Sequence, residues 1–481
     1  MSEPTIEAEP RQCWIAGVGE RGERSLTVRH PFDDTDVADV TVPGADQIER
    51  AVAGAAAVAG EFRNSPASER ARSLYQVADL LVRRGEEIAE TITAESGKPW
   101  RWAELEVAQA VGVFHAAAAA AAEFNGELAA TAKVRARMTV LLGSGTETPM
   151  RLAGTRRRAI GPVLAIGSSA YPLAGMARQV APALAVGAPV IGKPASLTPL
   201  SALLLGEILA EADLPAGVFS VLPLRGKNMV ELVRDPRLPV ISIVGSRAAG
   251  AAVRAAAPGK HFVLELGGTT TAIVCPDLAG DADLTVAAQQ IALAANAQAG
   301  QARLAVRRVL VHQDVAEPFQ AKLLDAVRAL AAGSPHDPEV TVGPLVSEEA
   351  AILATQWVND AIAAGAKLLT GGVRDRATLT PTVLAVPPEF HSEEVLAPAL
   401  LLSTVDSTRS AFDMATAGGS DLPVGVLTHD MRTALLAAND LDADVVVGAL
   451  PVDATALADI AAVVDAYTRP QHVVLGGGSG D

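Results

Sequence analysis

Two short segments contain residue types that could bind an anionic ligand. Lys193 ends the apolar segment APVIGKP, and Gly245 and Ser246 end the segment VISIVGS, just before a helical pattern begins. Backbone amides and a serine hydroxyl at a helix N-terminus can contact a phosphate group. Open parallel sheets bind ligands at the carboxyl ends of their strands. Taken singly, each segment is more often a capped helix or a solvated lysine, but together they favour a nucleotide.

A third segment, GVGERG at residues 17–22, matches the glycine pattern of dinucleotide-binding turns. In that motif the glycines lead into a helix whose N-terminus faces a pyrophosphate. Here the next residues, ERSLTVRHP, alternate as a strand does. We therefore interpret the segment as a hairpin turn and not as a nucleotide site.

The elements that must position Lys193 and Ser246 alternate along the chain. Residues 44–122 have apolar positions at three- and four-residue spacing, which predicts a helical layer. From residue 162 strand and helix patterns alternate, and a second alternating series begins near residue 267. Such alternation indicates right-handed crossovers and parallel sheets covered on both faces. The sequence therefore predicts an α/β fold with two such units.

Composition and charge exclude several classes of function. The chain has 481 residues and a formal net charge of -16, so a nucleic-acid partner, which needs concentrated Lys and Arg, is not expected. The only cysteines, Cys13 and Cys275, are too few for a disulfide framework, and the eight histidines lack the spacing of metal ligands. The most apolar segment, residues 159–177, is broken by Gly, Pro and Ser. We expect a cytoplasmic protein with no metal and no membrane partner.

Longer segments of the chain resemble the aldehyde dehydrogenase superfamily in order and spacing. The resemblance runs from about residue 12 to the end, and the segments that carry it include HPFDDTDVADVTVPGADQIERAV, ASERARSLYQVADLLVRRGEEIAETITAESGKP, ARQVAPALAVGAPVIGKPASLTPLSALLLGEILAEADLPAGVFSVLP, ISIVGSRAAG, VLELGG, AGQARLAVRRVLVH, TPTVL and EEVLAPA.

The resemblance implies a Rossmann-type nucleotide-binding domain, a second α/β catalytic domain and a small β oligomerisation extension. The implied boundaries are 12–132 with 159–264 for the NAD(P)-binding domain, 265–445 for the catalytic domain, and 133–158 with 446–481 for the oligomerisation hairpin and C-terminal strand. A homodimer or homotetramer follows from that extension.

The resemblance also assigns roles to residues on the nucleotide side. Lys193 matches a lysine that holds the adenosine ribose, Ser246, after Gly245, matches a serine that meets the pyrophosphate, and Glu394 matches a glutamate that binds the nicotinamide ribose. The family position that usually carries a carboxylate for the 2'-hydroxyl is Ser196, which removes repulsion against a 2'-phosphate. The implied cofactor is NADP or NAD, with NADP slightly favoured.

The reacting side departs from the family pattern. Glu265 matches the general base of acyl-enzyme hydrolysis, but Arg303 stands where the nucleophilic cysteine belongs and Ala170 where an asparagine donates to the oxyanion. A guanidinium stays protonated and is no nucleophile, so the cysteine route is not expected. Cys275, in TAIVCP, is expected to be a buried inert thiol, and Cys13 lies near the terminus.

Two functions of different class remain open. The chain can be an oxidoreductase in which NAD(P)H reduces a carbonyl or imine directly, with Arg303 polarising that group or binding a carboxylate. Alternatively, it is a catalytically inactive scaffold or binding subunit in which Arg303 pairs with Glu265 across a disused site. A short segment at residues 448–467 also replaces a glycine-rich family segment, which predicts a reshaped substrate tunnel.

Overall fold

The computed structural model describes residues 9–122, 127–130, 152–225, 227–390, 394–416, 422–451 and 460–475. The helices are α1 Ala45–Asn64, α2 Ala67–Arg83, α3 Gly85–Ser96, α4 Trp100–Ala122, α5 Ala174–Ala185, α6 Leu200–Glu211, α7 Lys227–Arg234, α8 Arg247–Ala256, α9 Asp281–Asn296, α10 Gln313–Arg328, α11 Glu348–Ala363, α12 Thr408–Thr416, α13 Met431–Asp440 and α14 Ile460–Ala466.

The strands are β1 Cys13–Ile15, β2 Val18–Glu20, β3 Arg24–Arg29, β4 Asp36–Val42, β5 Glu127–Ala130, β6 Leu152–Ala159, β7 Val163–Ile166, β8 Val190–Lys193, β9 Phe219–Val221, β10 Val240–Gly245, β11 His261–Leu266, β12 Thr270–Val274, β13 Val306–His312, β14 Lys367–Thr370, β15 Arg374–Asp375, β16 Thr378–Leu379, β17 Thr382–Ala385, β18 Ala399–Val405, β19 Val424–Leu427, β20 Val445–Val447 and β21 Thr468–Leu475.

Two seven-stranded sheets form the two halves of the described chain. The first has the order β11-β10-β7-β8-β9-β1-β2; β7 to β11 are parallel to one another, whereas β1 is antiparallel to both β9 and β2. The second has the order β14-β17-β18-β13-β12-β19-β20, and only β14 is antiparallel. Short apolar strands such as β7 and β12 are buried along their whole length, as expected for sheets with helices on both faces. The predicted α/β fold is confirmed.

The segment GVGERG forms a hairpin turn, as its sequence predicts. Strands β1 and β2 pair antiparallel, with Ile15 opposite Val18. The two residues between them, Ala16 and Gly17, have φ of 52° and 87°. Positive φ at both loop residues is typical of a type I′ turn, whose twist matches that of the paired strands. No helix starts here, so the segment cannot present a helix N-terminus to a nucleotide.

The helical layer consists of α1 to α4, and α4 is packed against α2 and α5. Among the described residues, α4 is the one helix whose length and composition would allow it to cross a membrane, and half of its most apolar window is buried inside the protein. Ala110, Ala117, Ala118 and Ala121 are fully buried. Their small side chains let the neighbouring helices approach closely, which explains the alanine-rich sequence.

A third sheet has the order β21-β6-β5 and is antiparallel throughout. It contains the last strand of the chain, which the sequence predicts. Most of the hairpin predicted from residue 133 lies outside the described residues. The domain boundaries at residues 132, 158, 264 and 445 remain predictions.

Candidate active site

The predicted nucleotide residues lie at one edge of the first sheet. Lys193 ends β8 and Gly245 ends β10, so both are at the carboxyl ends of parallel strands. Ser246 is the N-cap of α8, and its Oγ accepts a hydrogen bond from the Ala249 amide at 3.2 Å. The pair of strand ends and the helix N-terminus form the kind of edge that binds a nucleotide's phosphates.

A second cation, Arg225, lies beside Lys193 and is not among the residues predicted from the sequence. Its Nη2 donates a hydrogen bond to the Ser196 carbonyl at 3.1 Å. Burial and the charge of Arg225 lower the pKa of Lys193. Within the described residues neither cation forms a salt bridge. Two neighbouring cations without a counter-ion are suited to an anionic group such as a phosphate.

Glu394 lies in the segment before β18, and its carboxylate is next to Gly267, which follows β11. The Glu394 carboxylate occupies the space that a Cβ at Gly267 would take, so a larger residue there would displace it. Glu394 Oε1 is buried and has no hydrogen-bond partner among the described residues. Buried polar atoms are almost always bonded, so this acceptor is suited to a ligand hydroxyl. With Lys193, Arg225 and Ser246, the residues present fit a nicotinamide dinucleotide.

A strained turn places Arg303 at the entrance to β13. Residues 297–300 form a short 3-10 turn in which Gln298, Ala299 and Gly300 have φ of 54°, 53° and 63°. Left-handed backbone at residues other than glycine costs free energy and is concentrated at functional sites. The buried Arg307 stabilises this turn, because its guanidinium donates to the carbonyls of Gly300 and, at 3.1 Å, Ala397.

Glu265 is paired with Arg178 and not with Arg303. Arg178 Nε and Nη2 lie 3.1 Å and 3.0 Å from Glu265 Oε2, and both side chains are 16% exposed. The Arg303–Glu265 pair that the scaffold alternative predicts is therefore not formed. Arg178 is on α5, which brings it to the end of β11 through packing that the sequence pattern does not reveal. Arg303 forms no hydrogen bond or ion pair with any described residue.

The loop before α5 contains Ala170 and Tyr171 and is fixed by a buried ion pair. Lys98 donates to Glu106 and, at 2.9 Å, to the Ala170 carbonyl. Its ammonium also lies 4.4 Å from the centre of the Tyr171 ring. Glu106 Oε1 in turn accepts the amides of Leu173 and Ala174 at the start of α5. The loop backbone is thus firmly held, although the Ala170 side chain offers no donor to an oxyanion.

Two neighbouring cavities share Gln109 and Tyr171 in their walls, and Arg303 lines the smaller one. A small cavity of about 40 Å³ is lined by Tyr171, Arg178, Glu265 and Arg303. A larger one of about 360 Å³ shares Tyr171 with it and is lined mainly by apolar side chains. Its walls include Ala302 on one side and Leu450 and Pro451 on another. Arg303 therefore lies beside a cavity large enough for a small organic substrate.

Neither cysteine reaches this site. Cys275 is 1% exposed and follows β12, and burial raises the pKa of its thiol to about 12. Cys13 is fully buried on β1, where burial raises its pKa to about 11. A thiol with a raised pKa is a poor nucleophile at neutral pH. The prediction that Cys275 is buried is confirmed.

Comparison with known proteins identifies relatives over nearly the whole chain. The chain is 31% identical to a 3-sulfolactaldehyde dehydrogenase of Priestia aryabhattai over 434 residues, which cover 89% of this chain and 87% of that protein. It is also 31% identical to a succinate-semialdehyde dehydrogenase [NADP(+)] of Deinococcus radiodurans over 92% of this chain and 88% of that protein.

Solved structures give the same result. An NADP-dependent glyceraldehyde-3-phosphate dehydrogenase from Bacillus halodurans, complexed with NADP, superposes with a TM-score of 0.88 at 28% identity and covers 98% of this chain and 100% of that one. Aldehyde dehydrogenase 21 from Physcomitrella patens, in complex with the reaction product succinate, gives 0.87 at 29% identity and covers 98% and 99%. The family model described as "Aldehyde dehydrogenase family" matches residues 18–449. Fold, ligand edge and relatives agree: the chain belongs to the aldehyde dehydrogenase family.

Proposed function

We propose that this chain is an NAD(P)-dependent oxidoreductase that has lost the cysteine acyl-enzyme route and reduces a carbonyl or imine directly. The observation that carries the proposal is Arg303, a partly buried cation with no partner among the described residues, which lines the smaller cavity next to the larger one. Glu265 is already neutralised by Arg178. The positive charge of Arg303 is therefore free to act on a substrate.

The proposed cofactor is NADP in preference to NAD. Lys193 and Arg225 would hold the 2'-phosphate, and Ser196 contributes no negative charge that would repel it. Ser246 at the start of α8 would meet the pyrophosphate, and Glu394 Oε1 would accept a ribose hydroxyl. The relatives from Deinococcus radiodurans and Bacillus halodurans are both named for NADP, which supports this preference.

The reaction requires one hydride and one proton. The bound nicotinamide in its reduced form supplies the hydride, and with it both electrons, to the carbonyl or imine carbon. Arg303 would polarise the substrate oxygen or nitrogen, or bind a carboxylate of the substrate. We propose Tyr171, which lines both cavities, as the proton donor, with its hydroxyl reprotonated from solvent. The products are an alcohol or amine and the oxidised cofactor.

The experiment is NADPH oxidation by the purified protein with a panel of small aldehydes, keto acids and cyclic imines. A working reductase should bind NADPH with a Kd of about a micromolar or less. Arg303→Met should lower kcat/KM by about a hundredfold while NADPH binding stays unchanged. Failure of the protein to bind any nicotinamide nucleotide would rule out the proposal.

A second candidate is a non-catalytic scaffold or binding subunit. It is favoured by the Arg178–Glu265 pair, which satisfies the carboxylate that would otherwise serve as a base. In that case Arg303→Met should change neither nucleotide binding nor complex assembly, and no substrate should be turned over. A cytoplasmic homodimer or homotetramer is part of both proposals, and its size can be measured by light scattering.

A further inference from the structure

A cluster of arginines lies well away from the residues assigned to the cleft, where the helical layer meets the third sheet. Arg63 is in the last turn of α1, Arg70 is in the first turn of α2, and Arg156 and Arg158 are on β6. Together with Arg157, which is paired with Asp465, these four arginines line a cavity of about 230 Å³. We call it the arginine pocket.

The strand pair beneath the pocket brings like charges together. Arg158 lies directly opposite Arg469 of β21, and Arg156 lies opposite Gln471 on the same face. Like charges directly opposite each other destabilise a strand pair. The charge of Arg63 is the main cause that lowers the pKa of Arg158, with smaller contributions from burial, Arg156 and Arg469.

No carboxylate lines the arginine pocket within the part of the chain that the structure describes. Arg70 is 6% exposed, and its guanidinium donates to the backbone carbonyls of Ala185, at 2.9 Å, and Ser65, which carry no charge. Arg63 Nε is buried without a hydrogen-bond partner among the described residues. A buried cation without a counter-ion is costly, so this concentration of positive charge calls for an anion.

We propose that the arginine pocket binds a small phosphate-bearing anion, such as a phosphate monoester or a diphosphate. Guanidinium groups match phosphate oxygens in geometry and bind them with two parallel hydrogen bonds. A single carboxylate would neutralise one of the four charges, whereas a diphosphate can neutralise most of them. The protein as a whole carries a net charge of -16, so the pocket stands out as a local site of opposite sign.

The test is calorimetric titration of the full-length protein with inorganic pyrophosphate. Arg158→Gln should weaken binding at least about tenfold, because one charge-assisted contact is lost. Arg83→Gln is the matched control, since Arg83 is an exposed arginine at the other end of α2 and does not line the arginine pocket. Pyrophosphate binding in that control should stay within about twofold of the unmodified protein.

Other sites and other occupants give different results. Pyrophosphate held at the nucleotide edge would be lost in Arg225→Gln and kept in Arg158→Gln, which would overturn the proposal. No pyrophosphate binding, together with a changed oligomeric state in Arg158→Gln, would show that carboxylates of a second copy fill the pocket. A thermal shift by pyrophosphate in the unmodified protein and in Arg158→Lys, but not in Arg158→Gln, would support it independently of folding yield.

Discussion

The predicted nucleotide side and the predicted reacting side of the cleft differ in how closely their residues match the pattern of the aldehyde dehydrogenase family. On the nucleotide side, Lys193 and Ser246 occupy the strand end and the helix cap, and Arg225 adds a further positive charge. On the reacting side the scaffold is intact, but position 303 carries a guanidinium and position 170 has no donor. The difference teaches that the scaffold of a site and its reactive groups can change independently of each other.

The largest effect should come from restoring the two reactive groups. In Arg303→Cys with Ala170→Asn, a thiol would occupy the cavity beside Glu265, and the nearby Arg178 would favour its thiolate. We expect a burst of NADPH formation with a small aldehyde, followed by slow turnover, because the Glu265 carboxylate is engaged by Arg178 and is less available to activate water. Stopped-flow absorbance separates burst from turnover. Arg303→Ala with Ala170→Asn is the control without a thiol, and equal traces from both variants would mean that more than these groups was lost.

The scaffold of the reacting side can be destabilised by removing the buried Lys98–Glu106 ion pair. Lys98→Met leaves the Glu106 carboxylate buried without its cation, and the unfolding free energy should fall by about 3–5 kcal/mol. Lys98→Met with Glu106→Gln should recover part of the loss, because the amide keeps an acceptor for the start of α5. Denaturant unfolding measures both. Lys322→Met, which removes a surface pair with Asp281, should cost less than about 1 kcal/mol. An equal loss at positions 98 and 322 would contradict the assigned role.

The proposed preference for NADPH over NADH can be tested at Arg225. Arg225→Gln should weaken NADPH binding by about ten- to a hundredfold and leave NADH binding nearly unchanged, because only the former has a 2'-phosphate. Fluorescence titration with both nucleotides gives the ratio. Arg254→Gln, a change of the same charge on α8, serves as the control. If Arg225→Gln weakens the binding of NADPH and NADH equally, Arg225 does not bind the 2'-phosphate.

The smallest effect concerns the pH dependence of stability. Glu95 caps the start of α6 by accepting the amides of Leu200 and Ser201, and burial raises the pKa of its carboxyl from 4.5 to about 7. Because the folded state holds the proton more tightly, this contribution to stability is complete below pH 4.5 and is lost as the pH rises through about 7. Glu95→Gln should flatten the unfolding free energy over this range.

Unfolding at a series of pH values checks this expectation. Glu86→Gln is the control, since Glu86 is an exposed residue on the same helix. A slope that is unchanged in Glu95→Gln would show that other groups titrate in this range.

The fold and the positions of Lys193 and Ser246 at the ends of strands could be predicted because both follow from local patterns. Alternating strands and helices predicted the two parallel sheets, and Lys193 and Ser246 were found from their positions at the ends of strands. Arg178 could not be found in this way, because it meets Glu265 across 87 residues of sequence. Arg225 was missed for a related reason, since nothing in LPLRGKN shows that its side chain turns back to Ser196. Contacts between distant segments depend on packing, which periodicity does not describe.

The left-handed turn at residues 297–300 has a consequence for redesign. Its backbone is fixed by Arg307 and by the close approach of Gly300 to the Ala397 carbonyl, and neither contact involves the side chain at position 303. The backbone turn should therefore stay in place when the side chain at position 303 is exchanged. Thiol, hydroxyl, amine or imidazole groups could be installed there in turn, and their chemistries compared at one fixed place in space.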